Sequence, residues 1–322
     1  MDAGLKVVCG IDSDAECKPT YEFNTEVRFI TQDDKQLTLA ELTIICKTSD
    51  FSRMLFAGCA PCQPFSKQFK GVRRQADTVL LNDFARLIRQ ARPGYVLMEN
   101  VPGIAKVPGF SAFRRFLKTL EECKYAYQWG ILDAKKYGVP QNRRRLVLVA
   151  SQHSEASLPK PKYGPDRQPY RTVRQAIGHF PAIAAGELHA SVPNHAAAIL
   201  SPINLERLRH TKANGGSRLD WPEHLWLDCH KNDYSGHSDV YGRLAWDSPA
   251  PTLTGRCTSI SNGRYGHPEQ LRAISLREAA AIQSFPDGYV FYGFQKHIAQ
   301  RVGNAVPVRL AQALGKHLLT LE

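Results

Sequence analysis

The alternation of strand-like and helix-like patterns over the first 150 residues is the feature that most constrains this chain. Short apolar runs of the strand type occur at residues 6–11, 53–57, 95–98, 127–132 and 145–150. The stretches between them space their apolar residues as helices do, so that Phe84, Leu87 and Ile88 would share one helix face. Strands that alternate with helices predict a doubly wound, mostly parallel α/β sheet, which binds ligands outside the carboxyl ends of its strands.

The composition changes after residue 150. Residues 151–268 hold eleven of the twenty prolines and nine of the eleven histidines, and proline interrupts both helices and central strands. We therefore expect a loop-rich second domain, irregular or β in structure. Nearer the end, the capping-box spacing of Ser275 and Glu278 predicts a helix that stops before Pro286. Residues 307–321 predict an amphipathic closing helix.

The net charge of +12 favours a polyanionic partner. No apolar run reaches the ~18 residues of a transmembrane helix, and the N-terminus lacks the apolar core of a secretory signal. We therefore expect a cytoplasmic protein whose eight cysteines are reduced thiols.

The segment 58–66 presents a cysteine directly after an apolar strand. Cys62 lies between two prolines and precedes the loop 67–74, which has four cations and no acid. Such a loop favours the thiolate and attracts phosphate. Residue types alone leave three interpretations open: a nucleophile, a redox pair or half zinc site with Cys59, or a structural role. No second cysteine pair has the spacing that zinc needs, so we predict no metal site.

A carboxylate and three arginines stand at the ends of two further strands. Glu99 ends the run at 96–98, where an acid can donate a proton or cap a helix. In an extended chain Arg143 and Arg145 share one face and Arg144 takes the other. The arginines are either a solvated surface or a pair that reaches one anionic or carbonyl-rich ligand.

In this order, the segments resemble the DNA cytosine-5 methyltransferases. The matching motifs are Pro61-Cys62-Gln63 (nucleophile), Glu99-Asn100-Val101 (glutamate), Gln141-Asn-Arg-Arg-Arg145 (arginine), 251–254 (end of the recognition region), and 276–286 and 303–307 (closing motifs). The resemblance covers nearly the whole chain except about 155–245. It implies a Rossmann-like, S-adenosylmethionine-dependent methyltransferase sheet at 1–154 plus 297–322, with a smaller, loop-rich target-recognition domain at 155–296.

The resemblance also implies roles for four side chains. Cys62 would attack carbon 6 of a cytosine flipped out of duplex DNA, and Glu99 would bind the exocyclic amine and protonate ring nitrogen 3. Arg145 would hold the ring carbonyl, while Arg143 would support the surroundings of Cys62 and a nearby phosphate. The methyl donor would be S-adenosylmethionine.

Five residues are implied in binding that cofactor. Asp12 would hold the ribose hydroxyls, and Asp33 would read the adenine amine. Ser13 departs from the aromatic residue often found there, and the residue after Asp33 is not the usual aliphatic one. Asn304 and Ala305 would contact the methionine end. Without the resemblance, Asp12 and Asp33 would be interpreted as turn or cap residues.

Double-stranded DNA is the partner that the resemblance implies, with no membrane and, for a full-length enzyme, a monomer. The predicted DNA contacts are Gln63, Ser66, Lys67, Arg73, Arg243 and Arg256. Arg218 and Asn262 are further polar candidates for reading bases.

The family's first motif, a strand with a Phe-x-Gly-x-Gly-Gly turn and a helix, has no counterpart here. Its loss would leave unpaired strand edges beside the cofactor. We therefore expect a misplaced start or truncation, a disrupted gene, or a complementing N-terminal peptide or chain.

Three functions follow from these observations. The first is an active DNA cytosine-5 methyltransferase of a restriction–modification pair. The second is an inactive DNA-binding fragment or one half of a split methyltransferase. The third is a tRNA cytosine-5 methyltransferase, since one branch of the family uses the same motifs on RNA.

Overall fold

The computed structural model describes residues 3–59, 76–105, 111–231 and 239–321. The chain divides into two compact units. The first, here called the sheet unit, takes in Met1–Asp133, Arg144–Lys160 and Ala311–Glu322; the second, the irregular unit, takes in Ala134–Arg143 and Pro161–Leu310. The functional boundaries expected near 154 and 296 stay a prediction.

The sheet unit carries six strands in two sheets. In the smaller sheet, β1 (Gly10–Asp12) runs parallel to β2 (Phe29–Thr31). In the larger, β3 (Leu55–Gly58) runs parallel to β4 (Tyr95–Asn100), and β6 (Arg144–Ser151) runs antiparallel between β4 and β5 (Ala126–Asp133). The expectation of a mostly parallel sheet agrees with the common direction of β3, β4 and β5. Two details differ among the described residues: the strands form two sheets, and β6 is reversed. β5 and β6 are antiparallel because a short connection joins them, whereas parallel neighbours need a crossover of a dozen or more residues.

Four helices accompany these strands: α1 (Lys18–Thr25), α2 (Leu39–Cys46), α3 (Ala76–Ala91) and α4 (Ser111–Glu122). The periodicity predicted all except α2, and it also missed the three-residue strand β2. A capping box formed by Thr38 and Glu41 opens α2, and this is the local signal that would have located it.

The core of the sheet unit lies around β4 and β6. Val96 and Met98 of β4 and Leu146 and Leu148 of β6 are fully buried, packed in one cluster with Ile88, Phe116 and Leu120 of the helices. Strands covered on both faces are uniformly apolar, which is why these two runs were the clearest strand signals.

The strands β1 and β3 are more exposed than β4 and β6. Among the described residues, each of them pairs on one side only, β1 with β2 and β3 with β4. Ile11 and Phe56 nevertheless pack against the same apolar cluster. The side chains of Val7 and Val8, just before β1, are 38% and 41% exposed. Two open strand edges therefore border one shared core.

The irregular unit has helices but, in the part of the chain that the structure describes, no strand longer than an isolated bridge. Its helices are α5 (Val173–Ile177), α6 (Pro202–His210), α7 (Leu276–Ile282) and α8 (Gln295–Asn304). The last helix, α9 (Val308–Leu318), begins in this unit and ends in the sheet unit. The loop-rich prediction agrees with these elements, whereas a β domain does not. The capping box of Ser275 and Glu278 opens α7 as predicted.

No helix within the described ranges is both long and apolar enough to span a bilayer.

Candidate active site and cofactor-binding edge

Glu99 and Arg145 form an ion pair at the end of β4. The Nε of Arg145 lies 2.8 Å from Oε1 of Glu99, and the two side chains are 13% and 11% exposed. Glu99 faces Val147 across the antiparallel ladder, so Arg145 is its diagonal neighbour on the same face. The site therefore presents a carboxylate and a guanidinium side by side, with little access to water, at the carboxyl end of a central strand. Such a pair fits a planar ligand that has both donors and a carbonyl acceptor.

Arg143 has different partners from Arg145. It belongs to the irregular unit, is fully buried, and donates to the carbonyl oxygens of Leu253 (2.9 Å), Asn304 (3.3 Å) and Ala305 (3.1 Å). Arg144 is exposed, as the alternation predicts. Two nitrogens of the Arg143 guanidinium thus donate to backbone carbonyls. The predicted role of Arg143 beside Cys62 stays a prediction, because Cys62 lies outside the described residues.

The sheet edge at β1 and β2 carries the two predicted cofactor acids. Asp12 ends β1 opposite Thr31, and Asp33 follows β2 by two residues, so both lie at the carboxyl end of the same sheet. Oδ1 of Asp12 accepts a hydrogen bond from the Asp14 amide at 2.9 Å, and Asp12 and Ser13 are exposed. The hydrogen bond from the Lys35 amide lowers the pKa of Asp33. Accessible carboxylates fit the hydroxyl and amine donors of the implied cofactor, and the turn formed by Asp12 is compatible with that role.

Asp34 is an acid for which the resemblance offers no role. It is half-buried, and burial raises its pKa to about 6, with further contributions from the hydrogen bond with Asp33 and the charge of Asp83.

Asn304 and Ala305 lie at the C-terminal end of α8. Asn304 is exposed and Ala305 half-buried, while their carbonyl oxygens accept from Arg143. Their side chains are thus free of the core while their backbone is held.

Several predicted residues lie outside the described part of the chain: Cys62, Gln63, Ser66, Lys67 and Arg73. Cys59, which ends the described stretch after β3, is exposed. The nucleophile and its loop therefore stay predictions from the sequence.

The candidate base readers differ in exposure. Arg256 is exposed and Asn262 half-buried, whereas Arg218 is buried. Arg243 is 3% exposed and donates to four carbonyl oxygens, those of Thr211, His267, Gln270 and Leu208. A guanidinium held in this way does not extend to a base, so the assignment of Arg243 to DNA is corrected to a structural role.

Sequence reasoning missed Gln141 and Gln283 as individual residues. Both are fully buried, and Nε2 of Gln141 donates to Oε1 of Gln283 at 2.9 Å. Each belongs to a quoted motif, but their pairing spans 142 positions and has no local signal.

Comparison with known proteins gives a consistent result. The family model of C-5 cytosine-specific DNA methylases matches residues 1–320. The Type II methylase M.HgiDII of Herpetosiphon aurantiacus is 40% identical over 98% of this chain and 89% of that protein. The Type II methyltransferase M1.HphI of Haemophilus parahaemolyticus is 32% identical over 99% of this chain and 82% of that protein.

Solved structures agree on the fold. A crystal structure described as a DNA modification methyltransferase encoded within an E. coli prophage superposes with a TM-score of 0.77 at 21% identity, covering 99% of this chain and 94% of that one. The S. pombe Dnmt2 methyltransferase superposes with a TM-score of 0.63 at 16% identity, covering 98% and 91%. The fold is that of the Rossmann-like methyltransferases.

Proposed function

The chain belongs to the C-5 cytosine-specific DNA methylase family, and from this premise we propose how its residues carry the reaction. It is a DNA cytosine-5 methyltransferase that uses S-adenosylmethionine. Its relatives are Type II enzymes, so its context is restriction–modification, and an inactive fragment or a tRNA enzyme is not favoured. The buried ion pair of Glu99 and Arg145 is the observation that carries the mechanism.

Cys62 is the proposed nucleophile. Carbon 5 of cytosine is too weak a nucleophile by itself, and addition of the thiolate to carbon 6 turns the ring into an enamine. When bound, S-adenosylmethionine supplies the electrophilic methyl group. Loss of the proton from carbon 5 then expels Cys62. The base reaches the thiolate only after it has left the duplex, which costs a few kcal/mol.

Glu99 and Arg145 bind the ring in this proposal. Glu99 accepts from the exocyclic amine through one carboxyl oxygen. Its other oxygen takes up a proton from solvent before the base binds and delivers that proton to ring nitrogen 3, which prevents negative charge from accumulating during attack. Arg145 donates to the ring carbonyl from a position that Glu99 fixes at 2.8 Å. Because both side chains are nearly buried, their contacts are stronger than the same contacts in water.

The proposed cofactor residues of the sheet unit lie at the edge formed by β1 and β2. Asp12 binds the ribose hydroxyls, and Asp33, whose lowered pKa keeps it ionised, accepts from the adenine amine. Ser13 contributes no ring for stacking. Asn304 and Ala305 contact the methionine end.

DNA contacts come from two stretches. Gln63, Ser66, Lys67 and Arg73 lie beside the nucleophile in the sequence, and Arg256 is an exposed cation of the recognition region. Replacing residues 155–250 with the equivalent region of a relative is expected to change the methylated sequence. Unchanged specificity with retained activity would contradict the assignment of this region to recognition. We propose that the enzyme acts in the cytoplasm, at the nucleoid, as a monomer.

We also propose that a further strand fills the space between β1 and β3. Both strands leave an edge open within the described residues, and both contribute to one apolar cluster. A complementing polypeptide with a strand, a glycine turn and a helix would pair with both edges and cover Val7 and Val8.

Amide hydrogen exchange tests this complementation. Adding such a polypeptide is expected to slow exchange at 10–12 and 55–58. The outer edge of β5, which is open too, serves as the control and should not change. Equal effects at all three edges would contradict the proposal.

Covalent trapping tests the catalytic function. Duplex DNA that contains 5-fluorocytosine cannot release its carbon 5 substituent as a proton. We expect a denaturation-resistant adduct that peptide mapping assigns to Cys62 when protein, DNA and S-adenosylmethionine are combined. Binding of DNA and cofactor without an adduct would contradict covalent catalysis.

A further inference from the structure

Three fully buried polar side chains meet inside the irregular unit: Gln141, Arg143 and Gln283. Gln141 donates to Gln283, and Oε1 of Gln141 accepts from the Leu253 amide at 3.0 Å. Nε2 of Gln283 donates to the carbonyl oxygens of Val302 (2.6 Å) and Ala305 (3.3 Å). We refer to these three residues as the polar hub.

The polar hub joins two segments that are distant in the sequence. One is 250–254, called the recognition-end segment, and the other is 302–305, called the closing segment. Arg143 donates to both, through Leu253 on one side and Asn304 and Ala305 on the other. Gln141 and Gln283 form a second link between the same two segments.

The two segments are also in direct backbone contact. A Cβ built on Gly303 would lie 1.9 Å from the carbonyl oxygen of Thr254, so only glycine permits this approach. With water excluded, a shift of one segment would break hydrogen bonds to the other, and each buried group left without a partner is costly. The segments therefore move together or not at all.

We propose that Gln141, Arg143 and Gln283 are positioning residues that couple the recognition-end segment to the closing segment, so that cofactor binding and DNA binding influence each other. This inference rests on the proposed function in one respect, the assignment of Asn304 and Ala305 to the cofactor. The role first expected for Arg143, to support the surroundings of Cys62 and a nearby phosphate, stays a prediction beside this one, because Cys62 lies outside the described residues.

Hydrogen exchange of the full chain tests the coupling without any ligand. Gln283→Met keeps the side-chain length and removes the hydrogen bonds to Gln141, Val302 and Ala305. We expect amide exchange to become roughly tenfold faster at Ala305 and also at Leu253. Gln283 is linked to Leu253 through Gln141. Gln141→Met and Gly303→Ala are expected to give the same joint response, and they serve if Gln283→Met does not fold.

Arg277→Met is the matched control. Arg277 is equally buried in the same unit and donates to the carbonyl oxygens of Pro193, Pro286 and Tyr289. Loss of this guanidinium should accelerate amide exchange near those residues. When the two variants are compared at equal global stability, the exchange rate of the Leu253 amide should stay unchanged. If Gln283→Met accelerates only 302–305, or if Arg277→Met accelerates Leu253 equally, the coupling is refuted.

Calorimetry then separates the inference from the assignment on which it rests. Duplex DNA is expected to change the Kd for S-adenosylmethionine of the wild type by roughly tenfold, and Gln283→Met should reduce this factor toward one. If duplex DNA changes the Kd for S-adenosylmethionine by the same factor in Gln283→Met as in the wild type, the proposal is overturned. A different outcome would concern only the cofactor assignment. If Gln283→Met accelerates exchange in both segments but Asn304→Ala does not change the affinity for S-adenosylmethionine, the cofactor assignment of Asn304 is wrong.

Discussion

The sheet unit and the irregular unit satisfy their buried polar groups in different ways. In the sheet unit, ladder hydrogen bonds occupy the backbone of β4 and β6, and the side chains between them are apolar. In the irregular unit the backbone lacks such ladders. All six buried arginines among the described residues lie there: Arg143, Arg207, Arg218, Arg243, Arg272 and Arg277.

The difference follows from the need to pair every buried carbonyl. Loops do not pair their carbonyls with backbone amides in a regular ladder. Long side chains with several N–H donors therefore bind these carbonyls. Arg243 alone donates to four carbonyl oxygens. The net charge of +12 is therefore only partly a DNA-binding surface, because several of the cations that contribute to it are core residues of the irregular unit.

Arg143 and Arg145 show the same contrast two positions apart. Arg145, in the sheet unit, pairs with a carboxylate, whereas Arg143, in the irregular unit, donates to backbone carbonyls. The residues proposed for catalysis and cofactor binding at the strand ends belong to the sheet unit, whereas buried arginines of the irregular unit such as Arg143 and Arg243 bind backbone carbonyls. The predictions below test this division.

The largest effect is expected at the nucleophile. Cys62→Ser should abolish methyl transfer and leave DNA binding nearly unchanged, because a hydroxyl is a far poorer nucleophile than a thiolate. Radiolabelled methyl transfer and a gel-shift assay measure the two properties. Cys59→Ser is the control and should retain most activity; equal loss in both variants would revive a redox or metal role for the pair.

Glu99→Gln is expected to lower the rate of methyl transfer by ~10²–10³-fold, because the proton for ring nitrogen 3 is lost. The free energy of unfolding should change by less than about 1 kcal/mol, since an amide of the same shape leaves its oxygen beside the Arg145 guanidinium. Single-turnover kinetics and urea denaturation provide the measurements. A variant that loses stability in proportion to its rate would show that the pair is mainly structural.

Arg243→Met, unlike Glu99→Gln, should act mainly on stability. Leaving four carbonyls without their donor is expected to reduce the free energy of unfolding by about 4 kcal/mol. Arg256→Met, at an exposed position, should change it by less than about 0.5 kcal/mol while weakening DNA binding. Urea denaturation distinguishes them, and a stable Arg243→Met protein that fails to bind DNA would restore Arg243 as a DNA contact.

The irregular unit is expected to lose stability in acid through His267. Nδ1 of His267 accepts from the amides of Glu269 and Gln270, and burial lowers the pKa of His267 to about 4. The neutral form is therefore favoured on folding, so its stabilisation is present above pH ~6.5 and is lost as the pH falls toward 4. The loss is at most about 3 kcal/mol.

His267→Asn retains an acceptor without titrating and should flatten this part of the pH profile. Unfolding followed between pH 7 and pH 4 measures it, and an unchanged slope in the variant would assign the effect to another group.

The smallest effect, of opposite sign, is expected in the sheet unit. The raised pKa of Asp34, about 6, means that folding disfavours its ionised form, so the stability that it contributes is present at low pH and is lost as the pH rises through 6. Asp34→Asn should stabilise the protein at pH 7 by less than about 1 kcal/mol, since solvent screens a half-exposed group. The free energies of unfolding of the wild type and of Asp34→Asn are measured at pH 4 and at pH 7. If the substitution has the same effect at both pH values, the raised pKa of Asp34 is contradicted.

The sequence by itself determined the family, most strands and helices of the sheet unit, and the residues of the ion pair. These are local features: apolar runs mark β4 and β6, the spacing of Ser275 and Glu278 marks the start of α7, and short motifs carry Glu99 and Arg145. The exposed Arg144 between two shielded neighbours follows from the two-residue period of an extended chain.

Only the tertiary structure decided which of the arginines serve the core. The sequence predicts that Arg143 is catalytic and that Arg243 contacts DNA, whereas the backbone carbonyls that they bind lie 24 to 162 positions away. The antiparallel course of β6 and the pairing of Gln141 with Gln283 also depend on contacts between distant segments. Burial of a polar group is set by what packs over it, and a local pattern carries no information about that.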